Sequence, residues 1–537
     1  MNPRLPKVAE VEARRMRGVL TGLLGAVVAT AAYFYRAAFS NEIFIARDIQ
    51  RIYYPLKHYW ARRVLEGDFP AWFPYDGLGE SYPGVLQAGT FHPFNLLYLG
   101  LPLGWALKLN LLLGFPLALS GVFLLARGWG LSRGGAALAA TVYAFGGYLV
   151  SLTWTLPGLL SAASLPLALW AADRFLAAPS VLRAVCAAAL LSLVLFAGDG
   201  GVFALGCVAV GVLAVARHEQ GRGAREGLSL LGLWALTFLF SAVQLLPVLS
   251  LPHGLKAAPA NEATVWSLHP LRLLEAWLGP LFAGGGSTAA STRIDQQLLK
   301  AGANALWADS LHVGGVALVL AVVALVTARR GRRGWLLAGC VAVGLLLAMG
   351  RYGGLFSALH AVLPSFRAFT FPERISPFFL LPLALASAAG LDMVQRNPGV
   401  RRFAAMGMGA FALLCFGLIA LERGAGWFSR GLVTALWTGT APGPEILERL
   451  SSAVQRGCGM TGAAAITTFI VLSSVRRADV RSVLVPAICG VHLFVANESL
   501  YDLTYPDLLD QPSAFVEQVR AREGQALGGA RVLSGVE

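Results

Sequence analysis

The chain has 537 residues, of which 56% are hydrophobic and 13% charged, against about 45–50% and about 25% in a soluble globular protein. That balance excludes a soluble enzyme, a disordered chain and a disulfide-built secreted domain, and leaves an integral membrane protein with many spans. The formal net charge of +14 is read as a signal of membrane topology, and no nucleic-acid partner is expected.

In chain order, Arg14, Arg15 and Arg17 precede an apolar run from Gly18 to Tyr35, expected to stay as a first membrane helix and not to be cleaved as a signal peptide. Scanning for apolar runs of about 17–25 residues predicts an all-α polytopic membrane protein. Its thirteen transmembrane helices lie near 17–36, 101–126, 133–151, 157–176, 181–197, 200–216, 228–250, 311–328, 334–349, 375–394, 403–421, 457–475 and 481–499. The pair 181–216 is also readable as a re-entrant hairpin. Residues 1–499 then form one transmembrane domain, with a short extracytoplasmic tail over 500–537. The six cysteines are scattered among these runs with no CxxC and no metal-ligand spacing.

Charge orients the bundle. With the N-terminus inside, the inner connections hold 22 Lys and Arg in 66 residues, about one in three, whereas the outer ones hold 19 in roughly 229, about one in twelve. This predicts an N-in, C-out topology. The inner connections are short, and the long ones (37–100, 252–310, 422–456 and the tail) are outside, so polar chemistry is expected on the outer face.

The first outer loop is the richest stretch. From Ile49, apolar residues recur at Ile52, Tyr53, Leu56, Tyr59, Trp60 and Val64, with Arg51, Lys57, Arg62 and Arg63 between them. That helical period predicts an interfacial helix lying along the membrane surface, ended by Gly67 and Pro70. Asp48 stands at its start, placed to act as a general base or to hold a metal for a lipid-borne substrate, or else simply to pair with Arg47 or Arg51. Between Phe69 and Leu97, dense Pro, Gly and aromatic residues imply a fixed irregular loop whose polar members include Asp76, Glu80 and His92, with Asn95 as a helix cap.

Several of these residues form a pattern: Asp48 to Gln50, Pro55, the Leu65-Glu66-Gly67-Asp68-Phe69-Pro70-Ala71-Trp72 turn, Pro74-Tyr75, Gly77-Leu78-Gly79 and Pro93-Phe94-Asn95-Leu96-Leu97. With the later Phe366-Arg367, Phe371-Pro372-Glu373-Arg374 and Ala389-Gly390-Leu391-Asp392, the chain resembles the YfhO-like family of bacterial membrane proteins. That family is similar to polytopic glycosyltransferases of the GT-C fold. The resemblance implies sugar transfer on the outer face of a bacterial plasma membrane. The donor would be a polyprenyl-phosphate-linked sugar, the acceptor an envelope glycan, lipid or protein, and Asp48 the essential acidic residue of the first outer loop. The chain departs from the family where a His- and Gln-bearing motif is common, reading Ala197-Gly198-Asp199-Gly200-Gly201 instead, and, set against the sizeable C-terminal extracytoplasmic domain of many members, it is expected to be either a short member or a truncated product.

Two further outer segments carry candidates. Arg367 and Arg374 are placed to grip a lipid phosphate through their guanidinium forks, the alternative being snorkelling, with Arg374 paired to Glu373. Asp199 lies between two apolar runs, an ionisable group at or near membrane depth. The expected site is therefore Asp48 as the catalytic residue, with Arg47, Gln50, Asp76, Glu80, His92, Asp199, Arg367, Glu373 and Arg374 binding substrate. No metal site is expected beyond a divalent cation (Mg or Mn) on Asp48. The alternative classes are a transporter or lipid flippase, which the charge-poor span interiors and lack of a clear repeat disfavour, and a non-catalytic envelope scaffold.

Overall fold

The structure, a computed structural model, describes residues 8–217, 223–251, 258–282, 299, 306–327, 332–436, 443–507 and 521. The expected outer loop 252–310 and tail 500–537 therefore lie partly outside the described residues. Among these residues nine helices, from Leu103–Gly128 to Ala478–Leu500, are long and apolar enough to cross a membrane. Four shorter apolar helices, Leu20–Tyr33, Val181–Phe196, Gly315–Thr327 and Gly334–Ala348, fall on the remaining predicted runs.

Local chemistry explains several helix starts. Ser132 accepts from the Gly135 amide, Ser180 from Arg183 and Asn397 from Gly399, each satisfying an otherwise orphaned N–H at the first turn. Packing then sorts the helices. The Arg133–Trp154 segment is 89% buried and forms the centre, whereas Glu226–Ser250 has only 22% of its apolar span buried and turns the rest outward, as a lipid-facing helix does. Small residues let helices approach: a Cβ on Gly121 would stand 2.7 Å from the Leu167 amide, and one on Gly344 would stand 3.0 Å from the Phe378 backbone.

The loop after the first helix folds onto one end of this bundle. Ile43–Phe44 pairs antiparallel with Leu503–Thr504, tying the loop to the chain beyond the last long helix. A π-helical turn, Ile49–Tyr53, leads into the Tyr54–Leu65 helix. The aromatic face of that helix is covered by protein. Tyr59 packs against Phe73, Tyr75 and Tyr82, and its hydroxyl donates to the Trp72 carbonyl at 2.5 Å. The segment 69–97 supplies a dry surface over the helix, and Lys57, expected among the polar residues, is buried there with Leu56 and Trp60. A short hairpin pairs Trp72–Phe73 with Glu80–Ser81.

Candidate active site

Two strained backbone positions mark the site. Among the described residues, the non-glycine residues with positive φ are Arg47 (47°) and Phe371 (62°). A left-handed conformation costs a side-chain-bearing residue about 1–3 kcal/mol and persists only where its surroundings impose it. Arg47 immediately precedes Asp48, and Phe371 opens the Pro372–Ile375 turn that carries Glu373 and Arg374.

The two strained segments meet through a pair of indoles. The Arg47 guanidinium lies 3.8 Å from the ring centroid of Trp154 and donates to the Leu306 carbonyl at 2.8 Å. Trp154 meets Trp307 edge to face at 5.2 Å and donates to its carbonyl at 3.1 Å. Arg374 lies over Trp307 at 5.2 Å and donates through Nε and Nη2 to Asp199 Oδ2 at 3.1 and 2.7 Å. Asp199 Oδ1 accepts from the Gly201 and Val202 amides at 3.0 and 3.1 Å, which places this carboxylate at the start of the Gly200–Arg217 helix. Gly198 makes that turn possible. Its φ is 109°, and a Cβ there would come within 2.8 Å of the Leu86 carbonyl.

Asp48 differs from the other carboxylates. It is half-buried, caps no amide of the turn it precedes, and has no hydrogen-bond or ion-pair partner among the described residues. Burial raises its pKa from the ordinary carboxylate value, partly offset by Arg47 and Arg51. Tyr53, buried with its hydroxyl 3.1 Å from Thr155 Oγ1, sits within electrostatic reach of Asp48, Arg374 and Asp199 together. Asp48, Arg47, Asp199 and Arg374 thus share one neighbourhood.

The remaining expected residues are placed differently. Glu373 does not pair with Arg374. Its Oε1 accepts from Arg272 Nη1 at 2.5 Å and from the Ala308 amide at 3.3 Å. Arg272 also donates to Glu275 at 2.9–3.0 Å, making a buried triad beneath the site. Arg367 is exposed and caps the His360 and Ala361 carbonyls at 3.3 and 3.2 Å, away from Asp199. His92 is 3% exposed and accepts from the Phe94 amide, capping the Pro93–Leu96 turn. Burial, with Lys57 nearby, pushes its pKa down to about 3, which leaves it neutral. Asn95 is no cap. It accepts from Lys57 and donates to the Gly89 and Thr90 carbonyls. Gln50 is exposed on the π-helical turn, Asp76 is exposed at the hairpin tip, and Glu80 sits on the second hairpin strand, its pKa raised by burial and by Asp76.

A divalent cation does not fit Asp48 well. Its nearest charged neighbours are guanidinium groups, and the described residues hold no cluster of three His, Cys, Asp or Glu side chains able to ligate one. Trp154, Trp307 and Arg272 were not singled out in the sequence, and Glu275 stood there only as one polar residue of the 252–310 loop. The Arg272–Glu275 pair carried a local signal, opposite charges three residues apart within an apolar run. The tryptophans carried none, because apolar aromatics are common in spans.

No protein-family model matches the sequence, and no curated protein matches it. Among solved structures, the chain is similar to ArnT from Cupriavidus metallidurans bound to undecaprenyl phosphate, at 14% identity over 89% of this chain and 76% of that one, with a TM-score of 0.48. The same protein in its apo state aligns over 90% and 77%, at 14% identity and a TM-score of 0.46. The arabinofuranosyltransferase AftD from Mycobacteria aligns over 70% of this chain and 25% of its own length, at 16% identity and a TM-score of 0.42. All three scores are below 0.5.

Proposed function

We propose that this protein is a GT-C-type glycosyltransferase that moves a sugar from a polyprenyl-phosphate-linked donor to an acceptor hydroxyl on the outer face of a bacterial plasma membrane. The observation that carries this reading is Asp48, a half-buried carboxylate with raised pKa and uncommitted oxygens, whose charged neighbours are Arg47 and Arg51, with Arg47 linked to Arg374 through the adjoining indoles of Trp154 and Trp307. A general base needs free lone pairs and a pKa lifted toward neutrality. The neighbouring cations suit the other half of the chemistry.

In the proposed reaction the acceptor oxygen bonds to the anomeric carbon as the bond from that carbon to the phosphate oxygen breaks. The acceptor proton passes to Asp48, and the electron pair leaves with the polyprenyl phosphate. Arg374, held by Asp199, and Arg47, held on Trp154, meet the negative charge that develops there. In this reading Gln50, Asp76 and Glu80 bind the sugar or the acceptor, whereas His92 and Arg367 cap local backbone and Glu373 holds Arg272. In this reading the bundle over 1–499 is the catalytic domain, and the Arg-rich connections face the cytoplasm.

The test is rescue of a deletion strain with the wild type or with Asp48→Asn at matched membrane expression, followed by comparison of envelope glycans and glycolipids. Restoration of a missing sugar by the wild type alone supports the proposal. Equal rescue by both removes Asp48 as the base, and no change in any glycan removes the transferase reading.

A further inference from the structure

Lys57 is a buried amine with no carboxylate partner among the described residues. It is 4% exposed, and its Nζ donates to the Ala88 carbonyl at 2.7 Å and to Asn95 Oδ1 at 2.6 Å, both neutral acceptors. The titratable groups facing it are His92 and Tyr98, the latter with its ring 5.6 Å away. An unpaired charge in a dry site is costly, and a methionine would fill similar volume without that cost. What lysine adds is a pair of directed hydrogen bonds.

Those bonds end on a segment that touches the candidate site. Residues 86–90 run between Lys57 and the turn at 196–200. A Cβ on Gly89 would lie 3.6 Å from Lys57 Nζ on one side and 3.0 Å from the Phe196 carbonyl on the other. Gly198 abuts the Leu86 carbonyl, and Gly200 abuts the Leu86 side chain. The next link is Asp199, which holds Arg374. At its other end Lys57 stands one helical turn after Tyr53, on the helix that follows Asp48. Asn95 completes the clasp by donating to Gly89 and Thr90, so the lysine and the asparagine together hold three successive carbonyls, Ala88, Gly89 and Thr90.

We infer that Lys57 is a positioning residue: by clasping the 86–90 segment it sets the register between the Asp48 turn and the Asp199–Arg374 pair. The assignment of its effect to sugar transfer rests on the function proposed above, but the register itself does not. Misplacing reacting groups by about 1 Å costs on the order of 10²-fold in rate without removing a catalytic group.

The test uses the full chain in nanodiscs, as wild type and as Lys57→Met, Asn95→Ala and the double variant. Lys57→Met is expected to keep or raise the thermal midpoint. Amide exchange at 86–90 and at 197–201 should rise about tenfold together, and kcat should fall by about 10²-fold with the KM for the lipid-linked donor changed less than about twofold. Asn95→Ala should give the same exchange pattern, and the double variant should add little to either. Unchanged exchange at both segments, or faster exchange at 86–90 alone, overturns the inference. If Lys57→Met does not fold, Asn95→Ala decides by the same criterion. A wild type without transferase activity would defeat the proposed function while leaving the exchange result to judge the clasp.

Discussion

Beneath the candidate site a single guanidinium, Arg272, faces two carboxylates, Glu275 and Glu373, all three buried. One negative charge is therefore left over in a dry region, and burial pushes Glu275 up to about 7 despite its contact with Arg272. A folded-state pKa raised above the unfolded value means that the protonated form is the better folded one. The stability Glu275 contributes is thus complete below about 4.5 and is lost as pH rises through about 7. The gap between the two values corresponds to ~3 kcal/mol across the whole titration, an order-of-magnitude figure. Glu275→Gln carries no titrating proton. It should remove that pH dependence, at the expense of a constant offset from the 3.3 Å hydrogen bond that Glu275 Oε1 accepts from the Phe282 amide. The assay is denaturant unfolding in mild detergent at pH 5, 6, 7 and 8 for both proteins. The difference between wild type and variant isolates this group from the other titrating side chains. A difference that stays constant over the range would refute the reasoning, because the leftover charge would then not reside on Glu275.

Other expectations follow from the same geometry. Since burial raises the Asp48 pKa and a base must be deprotonated, kcat should fall on the acid side with a limb above the ordinary carboxylate value; a limb at or below that value would sink the assignment. Gly198→Ala forces a side chain into a φ of 109° against the Leu86 carbonyl, and should lower stability by at least about 1–3 kcal/mol while reducing transfer; a neutral result in thermal unfolding would show that the turn is not constrained as described. Asp76→Cys, at the exposed hairpin tip, should react with a membrane-impermeant thiol reagent in intact cells, above the background of the native cysteines. Labelling only after permeabilisation would reverse the proposed orientation.

Much of the fold was readable in the sequence because one-dimensional signals encode it. Run length and composition mark membrane helices, so among the described residues each of the thirteen expected runs falls on an apolar helix, and nine of these helices are long and apolar enough to span. The helical period after Ile49 announced the helix over 54–65, and Gly67 and Pro70 its end. The position of Asp48 at the head of that helix was equally legible.

Partner choice was decided only in three dimensions. Arg374 and Glu373 are chain neighbours, yet the Pro372–Ile375 turn sends one to Asp199 and the other to Arg272, 175 and 101 residues away in sequence. Lys57 reads as a solvated face residue in a helical pattern, and burial under the 69–97 segment makes it a buried clasp. Composition and periodicity are properties of neighbours along the chain, so they determine which segments become helices and which face of each is apolar. Ion pairing, burial and backbone strain depend on what packs against those faces, and at Arg47, Asp199 and Phe371 that was settled by contacts made across the bundle.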